Sequence, residues 1–149
     1  MDLSQTINKY NLPSKEVLEA ELGTLNFEEK DDIIIELTKS LREKTSKYIQ
    51  FLEDILQPDS SFIIMQESSS FSDSDRNKIL PVFKKLILLQ RTNLLVQLDG
   101  SKEDKVTYFK QLFTGWQDLK KNLKPFIQKA LITWSDEESF EEIKQNYFG

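Results

Sequence analysis

The chain has no cysteine and no histidine, and only four glycines and four prolines among 149 residues. Without cysteine there is no disulfide framework and no thiolate to act as nucleophile or metal ligand, so a reducing, cytoplasmic compartment is expected. Without histidine the chain lacks the commonest general acid–base and the commonest metal ligand. A ferritin-type di-iron bundle, which needs Glu-x-x-His pairs, cannot be built from it. Four glycines are too few for a glycine-rich phosphate cradle, and neither Gly-x-x-x-x-Gly-Lys nor Gly-x-Ser-x-Gly occurs. The longest uninterrupted apolar runs, residues 62–65 and 86–89, fall far short of the ~18 needed to span a membrane. The first residues, Met1-Asp2-Leu3-Ser4-Gln5, have no basic region and no apolar core, so a secretory signal is not expected.

What is present is charge arranged around a narrow apolar seam. Charged residues make up 30% of the chain and hydrophobic ones 38%, a balance that suits long amphipathic helices better than a thick core. Ten Phe, four Tyr and two Trp, placed periodically, argue against disorder.

Residues 1–13 are polar, end in Pro13 and are expected to form a mobile or loosely docked arm. Ser14 can cap a short helix over residues 15–22, with Gly23 at its C-terminus. Asn26 and Glu29 stand in a capping-box relation, and Ile34, Leu37, Leu41, Tyr48, Phe51 and Ile55 follow at three- and four-residue steps, interrupted by Lys44. Pro58 predicts the end of this helix near Gln57. The patch Phe62-Ile63-Ile64-Met65 is too short for periodicity to decide between helix and extended chain.

Ser72 and Asp75 repeat the capping pattern and open the most apolar element, which reads as a central helix buried on several sides, with strands over 86–89 and 94–98 as the alternative. Pro81 is expected to kink it. Asp99-Gly100-Ser101 reads as a tight connection, Ser101 and Asp104 forming the next capping pair. Val106, Phe109, Phe113, Trp116, Leu119, Leu123, Phe126, Ile127, Ala130, Leu131 and Trp134 then trace an amphipathic stripe, bent or split at Pro125. Ser135 and Glu138 are placed to cap a last short helix. The expected fold is all-α: an antiparallel up-down-up bundle of three long helices (about 27–57, 73–98 and 102–134) with short terminal helices, residues 14–149 forming one domain.

Catalytic and metal-binding constellations are not expected, and no cofactor is assigned. Glu28-Glu29, Asp31-Asp32 and Glu137-Glu138 sit at helix starts, where carboxylates favour the positive end of the helix dipole. Asp73-Ser74-Asp75 offers alternating oxygens but lacks the glycine and distal glutamate of a calcium loop. The serine run Ser68-Ser69-Ser70 reads as a solvated loop ahead of a cap, with phosphorylation as the sharper alternative. The aromatics at helical spacing read as core rather than a base-stacking platform.

Charge is segregated. Residues 1–75 carry a net −9, residues 76–132 a net +8, and residues 133–149 a net −4. Folding the last two long helices back about Gly100 gathers Arg76, Lys78, Lys84, Lys85, Lys120, Lys121, Lys124 and Lys129 into a basic pole, the candidate patch for an anionic partner. The bland alternative is that Glu53, Asp54 and the acidic C-terminal segment compensate it. The leading functional expectation is a non-enzymatic helical-bundle interaction module, an adaptor or scaffold that docks a protein partner or a second copy. A nucleic-acid-associated accessory protein using the basic pole is the alternative, disfavoured by the low overall isoelectric point.

Overall fold

The computed structural model describes residues 1–135, all of its regular structure helical, with no strand among them. The helices are α1 (Leu3–Tyr10), α2 (Lys15–Leu22), α3 (Ile33–Leu56), α4 (Phe62–Ser69), α5 (Asp73–Asp99) and α6 (Lys102–Ser135). The expected final helix, with its Ser135–Glu138 cap, lies outside the described residues.

Local chemistry explains most boundaries. Asp2 forms a capping box with Gln5 at the start of α1. The Ser14 hydroxyl accepts the Val17 amide at α2, and Gly23 ends that helix at φ 85°, a conformation that costs glycine little. Ser72–Asp75 and Ser101–Asp104 are reciprocal capping boxes at α5 and α6.

Residues 1–13 contain α1, which packs on α2, and Thr6 and Leu12 are buried. Other expectations need correcting. The helix expected from residue 27 begins at Ile33, because Asp32 rather than Asn26 supplies the cap, accepting the Ile35 amide at 3.2 Å. Asp31 instead closes a turn by accepting the Glu28 amide at 2.8 Å. Residues 62–69 are helical, as are 86–98, so the strand alternative falls away. Pro125 does not split α6, which continues through it to Ser135, and Pro81 lies inside α5.

The chain forms two compact units. Among the described residues the first comprises 1–47 and 88–116, the second 48–87 and 117–135. In the first, Leu18, Ile34, Leu37, Leu41, Phe109, Leu112 and Trp116 are almost wholly buried. Trp116 donates its indole N–H to the Glu21 carboxylate, which also pairs with Lys44 at 3.0 Å. Lys44, the residue that interrupts the α3 seam, thus reaches the end of α2, where its ammonium also meets the Glu21 carbonyl. In the second unit the core is Leu52, Ile55, Phe71, Ile79, Val82, Leu86, Leu119, Leu123 and Ala130. Leu131, expected on the buried stripe of α6, is instead exposed together with Ile132, and Thr133 is buried.

Candidate functional site

The largest departure from expectation lies on α5. Its buried apolar residues are Ile79, Val82 and Leu86, while Leu88, Leu94, Leu95 and Leu98 are between 55% and 82% exposed. The buried position beyond Leu86 is a polar one, Asn93. Positions 79, 82, 86, 89, 93 and 96 follow alternating three- and four-residue steps, which keeps them on one helix face. Asn93 therefore occupies a seam position, and the leucines at 88, 95 and 98 fall on another face. The helix carries apolar residues on its buried and its exposed face alike and is not a centrally buried rod.

Asn93 lines a groove of about 450 Å³ in the first unit. Ile34, Ile35, Thr38, Lys39 and Arg42 contribute from α3, Val96 and Gln97 from α5, and Lys105 and Tyr108 from α6. Gln90 fixes α5 to α3 through bonds to the Arg42 carbonyl and the Thr45 and Ser46 hydroxyls. Tyr108 fixes α6 to α5 by donating its hydroxyl to the Leu89 carbonyl at 2.7 Å. Burial pushes the Tyr108 hydroxyl above its ordinary pKa, and the positive Arg42 beside it pulls less strongly the other way. Two buried donors in the groove, Arg42 Nε and Asn93 Nδ2, find no acceptor in the protein. A smaller depression of about 190 Å³ near Met1 and Tyr10 contains the Asp32–Lys102 pair. There burial raises the Asp32 carboxyl, but the Lys102 ammonium at 2.8 Å and the Ile35 amide outweigh it, leaving the pKa below the ordinary value.

The eight cations of the sequence-based basic pole all belong to the second unit, in two different situations. Arg76 donates to the carbonyls of Ile55, Ser68 and Phe71 and to the Ser68 hydroxyl, so it caps the C-terminal ends of α3 and α4. Lys129 pairs with Asp75 and lies 5.6 Å over the Phe71 ring. These two meet at the start of α5, where both serve the fold. Lys78, Lys84, Lys85, Lys121 and Lys124 are exposed, and Lys120 is half-buried. The serine run is likewise structural: Ser68 is buried against the Ile55 carbonyl, and Ser70 meets the Thr133 hydroxyl at 2.6 Å. Ser69 remains exposed.

The groove residues Lys39, Arg42, Asn93, Lys105 and Tyr108 were not singled out from the sequence. A signal existed in the asparagine that falls on the Ile79–Val82–Leu86 seam. The cations come from two other helices, and nothing in local spacing joins them to it.

Among the described residues no helix is long and apolar enough to cross a membrane, and no group of three or more Asp or Glu side chains could hold a metal ion. Comparison with protein-family models, curated proteins and solved structures finds no match to this chain.

Proposed function

We propose that this chain is a non-enzymatic helical interaction module that docks a second copy of itself through the exposed leucine face of α5. The segments of α3, α5 and α6 within each unit are read as packed up-down-up, and a cytoplasmic location fits a chain with no cysteine to oxidise. The non-enzymatic reading is supported by how carboxylates are used. Asp2, Asp31, Asp32, Asp75 and Asp104 all accept backbone amides at caps or turns.

The observation that carries the docking reading is the row Leu88, Leu94, Leu95 and Leu98, exposed on a helix whose opposite face buries an asparagine. Contiguous exposed leucines on a helix mark an interaction surface. The flanking charges favour a second copy as the occupant. Arg91 and Asp99 are both exposed and stand four residues to either side of Leu95. An antiparallel pairing centred on Leu95 sets each Arg91 opposite the partner's Asp99 and also relieves an acid at a helix C-terminus. Sedimentation equilibrium tests this. The wild-type chain is expected at twice 17.5 kDa. Leu95→Glu with Leu98→Glu should give a folded monomer, and Arg91→Glu should weaken the dimer, with Asp99→Arg added to it restoring association. A wild-type chain that stays monomeric at every concentration sinks the reading.

A second reading, an anionic macromolecular partner such as nucleic acid, is supported by the exposed Lys78, Lys84, Lys85, Lys121 and Lys124. It is the weaker one, because Arg76 and Lys129 are already engaged within the fold.

A further inference from the structure

The groove between α3, α5 and α6 combines three features. Its volume, about 450 Å³, lies within the range of small-molecule sites, roughly 300–1,000 Å³. Its walls carry the apolar side chains of Ile34 and Val96 and three cations, Lys39, Arg42 and Lys105, with no Asp or Glu among the described lining residues. No ion pair links any of these three cations to a carboxylate among the described residues.

The third feature is the state of the hydrogen-bonding groups. The Thr38 hydroxyl donates to the Ile34 carbonyl, and the Tyr108 hydroxyl to the Leu89 carbonyl. The protons of both hydroxyls are thus used inside the protein. The N–H groups left over belong to Arg42 Nε and to Asn93 Nδ2, whose residue is only 4% exposed. A buried donor without an acceptor is costly, and an asparagine on the apolar seam of a helix is costlier than the leucine that would fit there. Unmet donors, unpaired cations and an apolar wall in one concavity share a single chemical complement. It is an acceptor-rich anion carried on an apolar body.

We infer that this groove is a binding site for a small amphipathic anion, its carboxylate or phosphate headgroup held by Arg42 and Asn93 and its apolar portion lying along Ile34 and Val96. Lys39 and Lys105 add charge at the headgroup. The site is distinct from the leucine row, which lies on another face of α5, so it can fail or succeed independently of the self-association reading.

The test is an NMR titration of the full-length chain with octanoate, octyl phosphate and neutral octanol, following the Arg42 Nε–H and Asn93 side-chain amide signals. At least one anion should bind about tenfold more tightly than octanol, as charge-assisted bonds to an anion require, and should shift both signals. The tighter of the two identifies the headgroup. Asn93→Leu should reduce that affinity while raising the denaturant midpoint. Lys39→Met with Lys105→Met, both near the surface, should weaken anion binding without touching the seam, which keeps the test decisive if the Asn93 variant fails to fold. Equal binding of octanol and the anions overturns the inference. So do anion-induced shifts confined to the exposed lysines of the second unit, and so does absence of binding by all three.

Discussion

Arg76 shows how far a residue's charge can mislead about its role. On the sequence it begins a run of cations and reads as part of a basic pole. In the structure its guanidinium sits over the carbonyl ends of two helices and the turn that follows, bonding at 2.6 Å to Phe71 and 2.8 Å to Ser68. Helix C-termini leave carbonyls without intrahelical partners, and a planar fork of donors satisfies several at once. Arg76→Met should therefore lower unfolding stability by at least about 1.5–3 kcal/mol, the contribution of a hydrogen bond to a charged group. Lys78→Met, on an exposed side chain, should change it by less than about 0.5 kcal/mol. Denaturant midpoints check both, and equal effects would mean that Arg76 is only a surface cation.

Its neighbour Asp75 carries a pH consequence. The bond from Lys129, with those from the Ser72 amide and hydroxyl, lowers the Asp75 carboxyl from 3.8 to about 2. Because the folded value lies below the unfolded one, this contribution is complete above the ordinary carboxylate range. It is lost as pH falls through about 2. Lys129→Met should move the Asp75 titration, followed by carboxyl carbon NMR, part of the way back toward 3.8, since the Ser72 bonds remain. An unmoved midpoint would show that Lys129 does not hold this carboxylate.

At the scale of the element, α5 separates what a helix's composition says from what its register says. Counting apolar residues marks it as the most buried helix. Following its three- and four-residue steps picks out Ile79, Val82, Leu86, Leu89, Asn93 and Val96 and leaves Leu88, Leu95 and Leu98 outside. The second description matches the observed burial because neighbours contact faces, not compositions. The end of α5 depends on one glycine. The Gly100 amide donates to the Val96 carbonyl at 2.8 Å, and a Cβ at Gly100 would lie 2.3 Å from that same oxygen. Gly100→Ala must displace backbone rather than a side-chain tip, so a loss of about 1–3 kcal/mol is expected, read by thermal unfolding. A neutral substitution would mean the connection to α6 tolerates another geometry.

For the whole molecule the informative quantity is the distribution of charge. The chain is −5 overall, yet residues 76–132 alone carry +8. Residues 136–149 contribute five acids and one lysine. Deleting them should strengthen binding to a fluorescent polyanion, and the gain should shrink steeply with added salt, as phosphate or sulfate contacts require. Anisotropy at two salt concentrations checks this. Polyanion binding by neither chain would remove the nucleic-acid reading and leave self-association standing. The division into two compact units was not legible at this scale, because α3, α5 and α6 each supply residues to both and no change in composition marks the boundary.

What the sequence determined by itself was local. Ser14 caps α2 and side chains three residues apart cap α5 and α6, glycine or proline stands near several helix ends, and the spacing of apolar residues makes most of the described chain helical. These effects act within a turn or two, so they can be read without knowing what lies across the molecule. Spacing alone offers Asn26 as the cap of α3, but the Asp32 carboxylate opens the helix. The tertiary structure alone decided which face of α5 is buried, that Arg76 and Lys129 are spent on the fold, and that Lys39, Arg42 and Lys105 come together around Asn93. Each depends on contacts between residues far apart in the chain, where burial and pairing are properties of the neighbour and not of the residue.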